Sequence, residues 1–175
     1  KDYAEAARWN HKAAEQGNVQ AQYALGTMYF GGNGVQQDYA EAVRWTLKAA
    51  DQGNAEAQYN LGCMHRNGQG VQQDPAEAVR WDRKGAEQGH AGAQLNFGVS
   101  YATGLGVKKD IGEALRWASK AAEQGDSKAK GFIKEVRDRL RASAAAAPAA
   151  SSPSACAHCG AAETVGGGVA LKPCS

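Results

Sequence analysis

The chain has 175 residues and a formal net charge of +2, with 20 Lys and Arg residues against 18 Asp and Glu. This length suits one domain with a core or an array of small repeats, and so small a charge gives no argument for nucleic acid or for a polybasic membrane anchor. No uninterrupted apolar run approaches the roughly 20 residues that span a bilayer, and four Cys are too few for a disulfide scaffold.

A period of 36 residues organises most of the chain. Three series of residues keep this step: Trp9, Trp45, Trp81 and Trp117; Asp2, Asp38, Asp74 and Asp110; and Gly17, Gly53, Gly89 and Gly125. The sequence therefore predicts a half repeat at 1–18, which holds a second helix alone, and full repeats at 19–54, 55–90 and 91–126.

Each full repeat is predicted to hold two helices. Before the second helix, Asp38 is followed three residues later by Glu41, a pattern that indicates a reciprocal N-terminal cap and recurs in every copy. Gly53 follows that helix, where a left-handed residue suits glycine, and Asn54 then caps the next first helix. His90 takes the place of Asn54 one repeat later and is expected to be a weaker cap.

The spacing of apolar residues predicts how these helices pack. Ala42, Trp45 and Ala49 form one stripe on a second helix. The first helix carries its own stripe and an internal glycine, which allows close approach of a neighbouring helix: Ala21, Leu25, Met28 and Tyr29, with Gly26, Gly62 and Gly98 in the three copies. Because two short helices cannot bury these stripes alone, the predicted fold class is all-α, an α-solenoid of stacked 36-residue helix-turn-helix repeats.

The repeat carries A-x-A-Q-Y-x-L-G-x-M-Y, then G-x-G-V-x-x-D, AEAVRW and KAAEQG. In this pattern, residues 1–126 closely resemble the Sel1-like repeat (SLR) family, a relative of the tetratricopeptide repeat. The resemblance implies a solenoid that scaffolds protein complexes and is seldom catalytic. His65 and Leu95 depart from the tyrosines that other copies hold at these positions.

Residues 127–142 are predicted to form a capping helix with an apolar stripe of Ala129, Ile133, Val136 and Leu140. Its other side is basic, which leaves open a site for phosphate or for an acidic partner. Residues 143–155 are rich in Ala, Ser and Pro and are predicted to be a flexible linker, although the alanines before Pro148 could extend the helix by a turn.

The last segment, 156–175, carries a C-x2-C pair, Cys156 and Cys159, with Cys174 after it. Two thiolates at this spacing can bind one tetrahedral Zn²⁺. The segment resembles the opening of a MYND-type zinc finger, which implies ligand positions at all three cysteines. The next ligand would fall at residue 177, so we expect Zn²⁺ binding here to be weak or absent. Unrelated free thiols are the alternative, and His158 is expected to be exposed rather than a ligand.

Nothing in the sequence supports an enzyme, and no catalytic residue is predicted. Cys63 and His65 lie two apart on a helix and so point to different sides, which argues against a nucleophile–base pair. The repeated loops such as Gly32–Gly34 lack the third glycine of a phosphate cradle and are interpreted as turns between helices. The Trp series is expected to form core or to line a groove.

One stripe of the first helices changes from copy to copy, and it is expected to face solvent. It reads Gln20, Ala24, Thr27 and Gly31, then Glu56, Asn60, Cys63 and Asn67, then Gly92, Asn96, Val99 and Thr103. First helices tend to line the concave face of such solenoids, where an extended peptide or a helix would bind. Asn60, Arg66 and Asn96 are therefore the candidate partner contacts, with neutral drift of a solvated surface as the alternative.

The sequence predicts a protein-interaction scaffold or adaptor, intracellular (cytoplasmic or nuclear), that binds protein or peptide ligands. By resemblance, the zinc module would recruit a second, proline-containing peptide. The alternatives are a zinc-dependent regulatory protein associated with nucleic acid and, less favoured, a hydrolase of the SLR class. An exposed apolar face around Ala6, Trp9 and Ala13 is also expected, with self-association through it.

Overall fold

The structure is a computed structural model that describes residues 3–146, and this range forms eight α-helices. In chain order they are α1 (Tyr3–Glu15), α2 (Val19–Gly31), α3 (Tyr39–Asp51), α4 (Ala55–Asn67), α5 (Pro75–Glu87), α6 (Ala91–Thr103), α7 (Ile111–Glu123) and α8 (Ser127–Ala146). The all-α prediction is confirmed. The predicted zinc ligands Cys156, Cys159 and Cys174 lie outside the described residues.

The second helices α3, α5 and α7 begin at an aspartate cap, but the predicted reciprocal cap is wrong in its second half. The Asp38 side chain accepts from the N–H groups of Ala40 and Glu41, at 2.9 and 3.0 Å. Its own N–H donates to the Tyr29 carbonyl at 3.0 Å. Because that donor is already satisfied, Glu41 turns instead to Arg44, at 2.6 Å from Nη2.

The helices of one repeat approach as closely as their glycines allow. A Cβ placed on Gly26 would lie 2.5 Å from Thr46 Oγ1, and one on Gly62 would lie 2.6 Å from Asp82 Oδ1. The predicted close packing at these glycines is therefore confirmed. Gly70, in the loop between α4 and α5, has φ +74° and packs against the backbone carbonyl of Tyr39 at the start of α3, so the loop also contacts the preceding repeat.

Three of the four Trp belong to the core. Trp45 is 2% exposed and packs with Ala14 of α1 and Leu25 of α2, which makes it a contact between repeats. Trp81 and Trp117 are buried in the same way. Trp9 is 65% exposed. The apolar face expected around it is confirmed at Trp9 and the exposed Ala6, whereas Ala13 is half-buried.

A buried glutamine in each repeat joins three helices, a feature that the sequence reasoning did not identify. Gln22 is 4% exposed, donates to the Ala14 carbonyl at 3.1 Å and accepts from Gln52 Nε2 at 2.7 Å. The same two bonds recur for Gln58 with Ala50 and Gln88, and for Gln94 with Ala86 and Gln124. These bonds satisfy polar groups at the repeat junctions and so favour one stacking register.

The helix α8 differs from the prediction at its end. Ala129 and Val136 are buried and Ile133 is half-buried, but Leu140 is 44% exposed. α8 has 20 residues against 13 in α7. It continues to Ala146, so the extension by a turn that the alanines before Pro148 allowed is confirmed.

The described residues fall into two units, of which the first runs from Tyr3 to Arg139 and the second begins at Leu140. Among residues 3–146, no helix combines the length and the apolar character that a bilayer crossing needs.

Candidate functional site

The second position of the varying stripe is half-buried in every repeat, whereas its last position is exposed. Ala24, Asn60 and Asn96 hold the second position, and Gly31, Asn67 and Thr103 hold the last. The prediction that the whole stripe faces solvent is therefore wrong at the second position. The reason is that the first helices of successive repeats lie close enough for these side chains to contact one another.

Those contacts join α2, α4 and α6 into one surface, called here the first-helix face. Asn60 Nδ2 donates to Tyr23 Oη at 3.4 Å, and Asn96 Nδ2 lies 3.6 Å from Cys63 Sγ. His90 stacks on Tyr59 with the ring centroids 4.7 Å apart. His90 also caps α6, accepting from the Ala93 N–H through Nδ1 at 3.1 Å.

Arg66, one of the predicted contacts, lies beside a buried carboxylate that the sequence reasoning missed. Its Nη2 donates to Asp82 Oδ2, and the Asp82 side chain is fully buried while that of Arg66 is 26% exposed. The other oxygen, Oδ1, is buried and accepts no hydrogen bond. A carboxyl group in such a place is costly to ionise.

Burial raises the pKa of Asp82 from 3.8 to about 6. The Arg66 guanidinium acts in the opposite direction and favours the ionised form, as do the amide of Asn96 and the ring of His90. The buried carboxyl thus connects α4, α5 and α6, and two of the three predicted contacts, Arg66 and Asn96, belong to its surroundings.

The third predicted contact, Asn60, lines a cavity of about 330 Å³ between α2 and α4. Phe30 and Met64 form apolar parts of its wall, and Asn33 and Gln69 place amides at the loop end. A cavity of this size lies at the small end of ligand pockets, about 300–1,000 Å³. Its mixed lining suits one apolar side chain whose flanking polar groups meet the amides.

One signal in the sequence pointed to this site. In the 36-residue alignment, position 82 holds Asp where the other full repeats hold Thr46 and Ala118, and position 66 holds Arg where they hold Phe30 and Ala102. A charged pair that replaces small or apolar residues at two positions of the same repeat indicates that they meet in space. That comparison of copies could have identified Asp82.

Cys63 shows no sign of activation as a nucleophile. Burial raises the pKa of its thiol, and the nearby Asp82 carboxylate acts in the same direction. A nucleophilic Cys needs a lowered pKa and a base within reach. Among residues 3–146, no three His, Cys, Asp or Glu side chains are grouped closely enough to hold a metal ion.

The chain was compared with known proteins. The model of the Sel1 repeat matches residues 1–18, 19–54, 55–90 and 91–126. A search of curated proteins gives no match.

Solved structures give matches over about three quarters of the chain. A protective antigen of uropathogenic Escherichia coli that displays an SLR fold is 46% identical with a TM-score of 0.77; the match covers 79% of this chain and 30% of the antigen. A Sel1 repeat protein from Oxalobacter formigenes is 38% identical with a TM-score of 0.72, over 77% of this chain and 55% of that one. Helicobacter pylori cysteine-rich protein B is similar in fold. It is 23% identical with a TM-score of 0.60, and the match covers 75% of this chain and 95% of that one.

Proposed function

Because the chain belongs to the Sel1 repeat family, we propose that it is a scaffold whose first-helix face binds an extended segment of a partner protein. Sel1 repeat proteins generally serve as protein–protein interaction scaffolds, and the fold is typically not catalytic. The observation that carries the proposal is the cavity between α2 and α4, which opens among residues that vary from repeat to repeat while the packing residues around it recur.

The chemistry of the face suits a peptide backbone. Asn33, Asn60 and Gln69 each carry an amide that can donate and accept, which is the pattern needed to pair with a main-chain N–H and C=O. Phe30 and Met64 supply apolar wall for a side chain of the partner. An extended segment gains affinity from its main chain and specificity from such a pocket.

The test is selection of random 12-residue peptides on the full chain, followed by affinity measurement by fluorescence anisotropy. Thr27→Arg and Val99→Arg place bulk and charge on the first-helix face. Leu47→Arg is the matched control, since Leu47 is 38% exposed against 36% for Val99 but lies on the second helix α3. The one copy that has Arg at the Leu47 position, Arg83, shows that the repeat accepts the control change.

We expect both first-helix variants to weaken binding at least tenfold, because a change at the centre of an interface typically costs that much binding free energy, about 1.4 kcal/mol per tenfold. We expect Leu47→Arg to leave the affinity within twofold of the unaltered chain. Equal effects from Val99→Arg and Leu47→Arg would show that the peptides bind elsewhere, and the proposal would be wrong.

Two further parts of the proposed function rest on the sequence alone. The zinc module of residues 156–175, with Cys156, Cys159 and Cys174 as ligands and a proline-containing peptide as its partner, stays a prediction because these residues lie outside the described range. Association with nucleic acid stays the alternative. Binding that is lost in high salt would favour nucleic acid, whereas salt-insensitive binding of peptides would favour the scaffold.

A further inference from the structure

The first-helix face changes its chemistry between one repeat junction and the next. At the junction of α2 with α4, the cavity is lined by Phe30, Thr46 and Met64. One repeat later, the equivalent positions hold Arg66, Asp82 and Ser100. A place that has apolar wall at Phe30 and Met64 is therefore followed along the face by a place that has a charged pair.

Arg66 has N–H donors that its pairing with Asp82 does not use. The structure pairs its Nη2 with Asp82 Oδ2, and a guanidinium carries five N–H donors in a planar fork. Its side chain is 26% exposed whereas that of Asp82 is fully buried, so Arg66 is the member of the pair that a ligand can contact. Two neighbouring side chains are uncharged: Asn67, which follows Arg66 in the chain, and Asn96, which lies beside Asp82 in space. Neither supplies a second carboxylate for Arg66.

The distance between the two places determines how far apart in sequence the two groups of a peptide ligand must be. The first helices of successive repeats meet through long side chains, as Asn60 meets Tyr23, so successive junctions on the face are separated by roughly 10 Å, the width of one helix with its side chains. An extended chain rises about 3.3 Å per residue. Two groups of one peptide that occupy both places are therefore two or three residues apart.

We propose that the first-helix face recognises an extended peptide that puts an apolar side chain into the cavity lined by Phe30 and Met64 and a carboxylate, two or three residues away, on Arg66. This inference rests on the proposed function and adds the composition of the ligand. The apolar group gains from leaving water, and the carboxylate gains a charge-assisted hydrogen bond from a guanidinium that is already held in position by Asp82.

The test uses the same random 12-residue library on the full chain and compares the peptides that two proteins select. The variant carries Arg66→Phe together with Asp82→Thr, which copies Phe30 and Thr46 of the preceding repeat and so avoids leaving a buried carboxylate without its partner. The matched control is Arg80→Gln, which removes an exposed arginine paired with Glu77 on the second helix α5. Thermal unfolding confirms that each protein is folded.

The unaltered chain and Arg80→Gln should select an apolar residue with Asp or Glu two or three positions away. The double variant should select a second apolar residue in place of the acid. Changing Glu to Gln in a selected peptide should weaken binding to the unaltered chain about tenfold or more, since hydrogen bonds to charged groups are the stronger ones, and should change binding to the double variant less than twofold.

If peptides bind, depend on Thr27 and Val99, and show no acidic residue at that spacing, the inference is wrong while the proposed function stands. If Thr27→Arg and Val99→Arg do not weaken binding, or if no peptide is selected, both are wrong. A double variant that keeps the acidic preference would also overturn the inference, because Arg66 would then not be the group that reads the carboxylate.

Discussion

Arg66 and Asp82 pair across α4 and α5 inside the first unit, and the two positions change together between repeats. The preceding repeat holds Phe30 and Thr46 there, and the following one holds Ala102 and Ala118. Asp82 is fully buried, and its Oδ1 also lies against the helix glycine Gly62. One repeat thus carries a charged pair where its neighbours carry apolar or small ones, at the surface that we propose for partner binding.

Removing one member of this pair should destabilise the chain strongly. Arg66→Ala leaves the Asp82 carboxyl buried without its counter-ion, which typically costs about 3–5 kcal/mol. Arg80→Ala removes an exposed pair with Glu77 and should cost about 0–1 kcal/mol. The double change Arg66→Phe with Asp82→Thr should match or exceed the unaltered chain, because buried pairs are often replaced without loss by well-packed residues. Urea unfolding at pH 8 measures all three, and a double variant less stable than Arg66→Ala would contradict this.

The contribution of Asp82 to stability should fall as the pH rises from about 4 to about 6. The pKa of Asp82 is raised from 3.8 to about 6 in the folded chain, so the folded state holds a proton there that the unfolded state has already released. Folding therefore loses free energy over this window, about 1.4 kcal/mol for each unit of pKa shift. The groups that face Asp82 are Arg66, Tyr59 and Cys63 of α4 and His90 and Asn96 at α6.

Urea unfolding between pH 4 and 8 tests this with Asp82→Asn, which cannot ionise. The difference in free energy of unfolding between the variant and the unaltered chain should increase across the window in favour of the variant. A constant difference would show that Asp82 does not carry the pH dependence.

Two helix glycines should respond to alanine in opposite directions. A Cβ at Gly62 would lie 2.6 Å from Asp82 Oδ1 and 3.3 Å from the Ala78 carbonyl, so Gly62→Ala should cost about 1–3 kcal/mol through overpacking. Gly131 in α8 has nothing within 4 Å of such a Cβ. Gly131→Ala should therefore stabilise by up to about 1 kcal/mol through helix propensity. Thermal melts compare the two, and equal signs would contradict the packing at Gly62.

The exposed Trp9 face should promote self-association. Trp9 is 65% exposed, and Trp81, its equivalent two repeats later, is 6% exposed. Trp9→Ser should lower the association measured by sedimentation while changing stability little, whereas Trp81→Ser should cost about 3–5 kcal/mol because it leaves a cavity in the core. Hydrogen exchange should be faster in α1 than in α5. Association that is unchanged by Trp9→Ser would place the contact elsewhere.

The C-terminal cysteines should bind a metal weakly if they are zinc ligands. Titration with Co²⁺, which reports thiolate ligation by its absorption, is expected to give a weak band or none, and Cys159→Ser should remove any band, since a C-x2-C pair supplies two of the thiolates. Cys63→Ser is the control, because burial raises the pKa of that thiol and disfavours ligation. A strong band, or a band that survives Cys159→Ser, would contradict this expectation.

The sequence alone was sufficient to predict the architecture, because three full copies of the repeat show the same pattern. The pattern consists of the 36-residue step between Trp45 and Trp81, the aspartate caps and the glycines that end helices. These features depend on local backbone chemistry and on periodic burial, which the amino-acid sequence shows directly. Comparison of copies also separated packing positions from variable ones. It pointed to Arg66, Asn60 and Asn96 without showing what they contact.

Tertiary structure decided the contacts between residues far apart in the chain. Local spacing predicted that Glu41 would bond to the Asp38 N–H, but the fold brings the Tyr29 carbonyl to that donor first, at 3.0 Å. Asp82 meets Arg66 from another helix, and its pKa reflects burial, which depends on the stacking of whole repeats. The residues at which helices begin and end are determined by their neighbours in sequence. The partner of a buried polar group is determined instead by which helices pack together through their hydrophobic stripes.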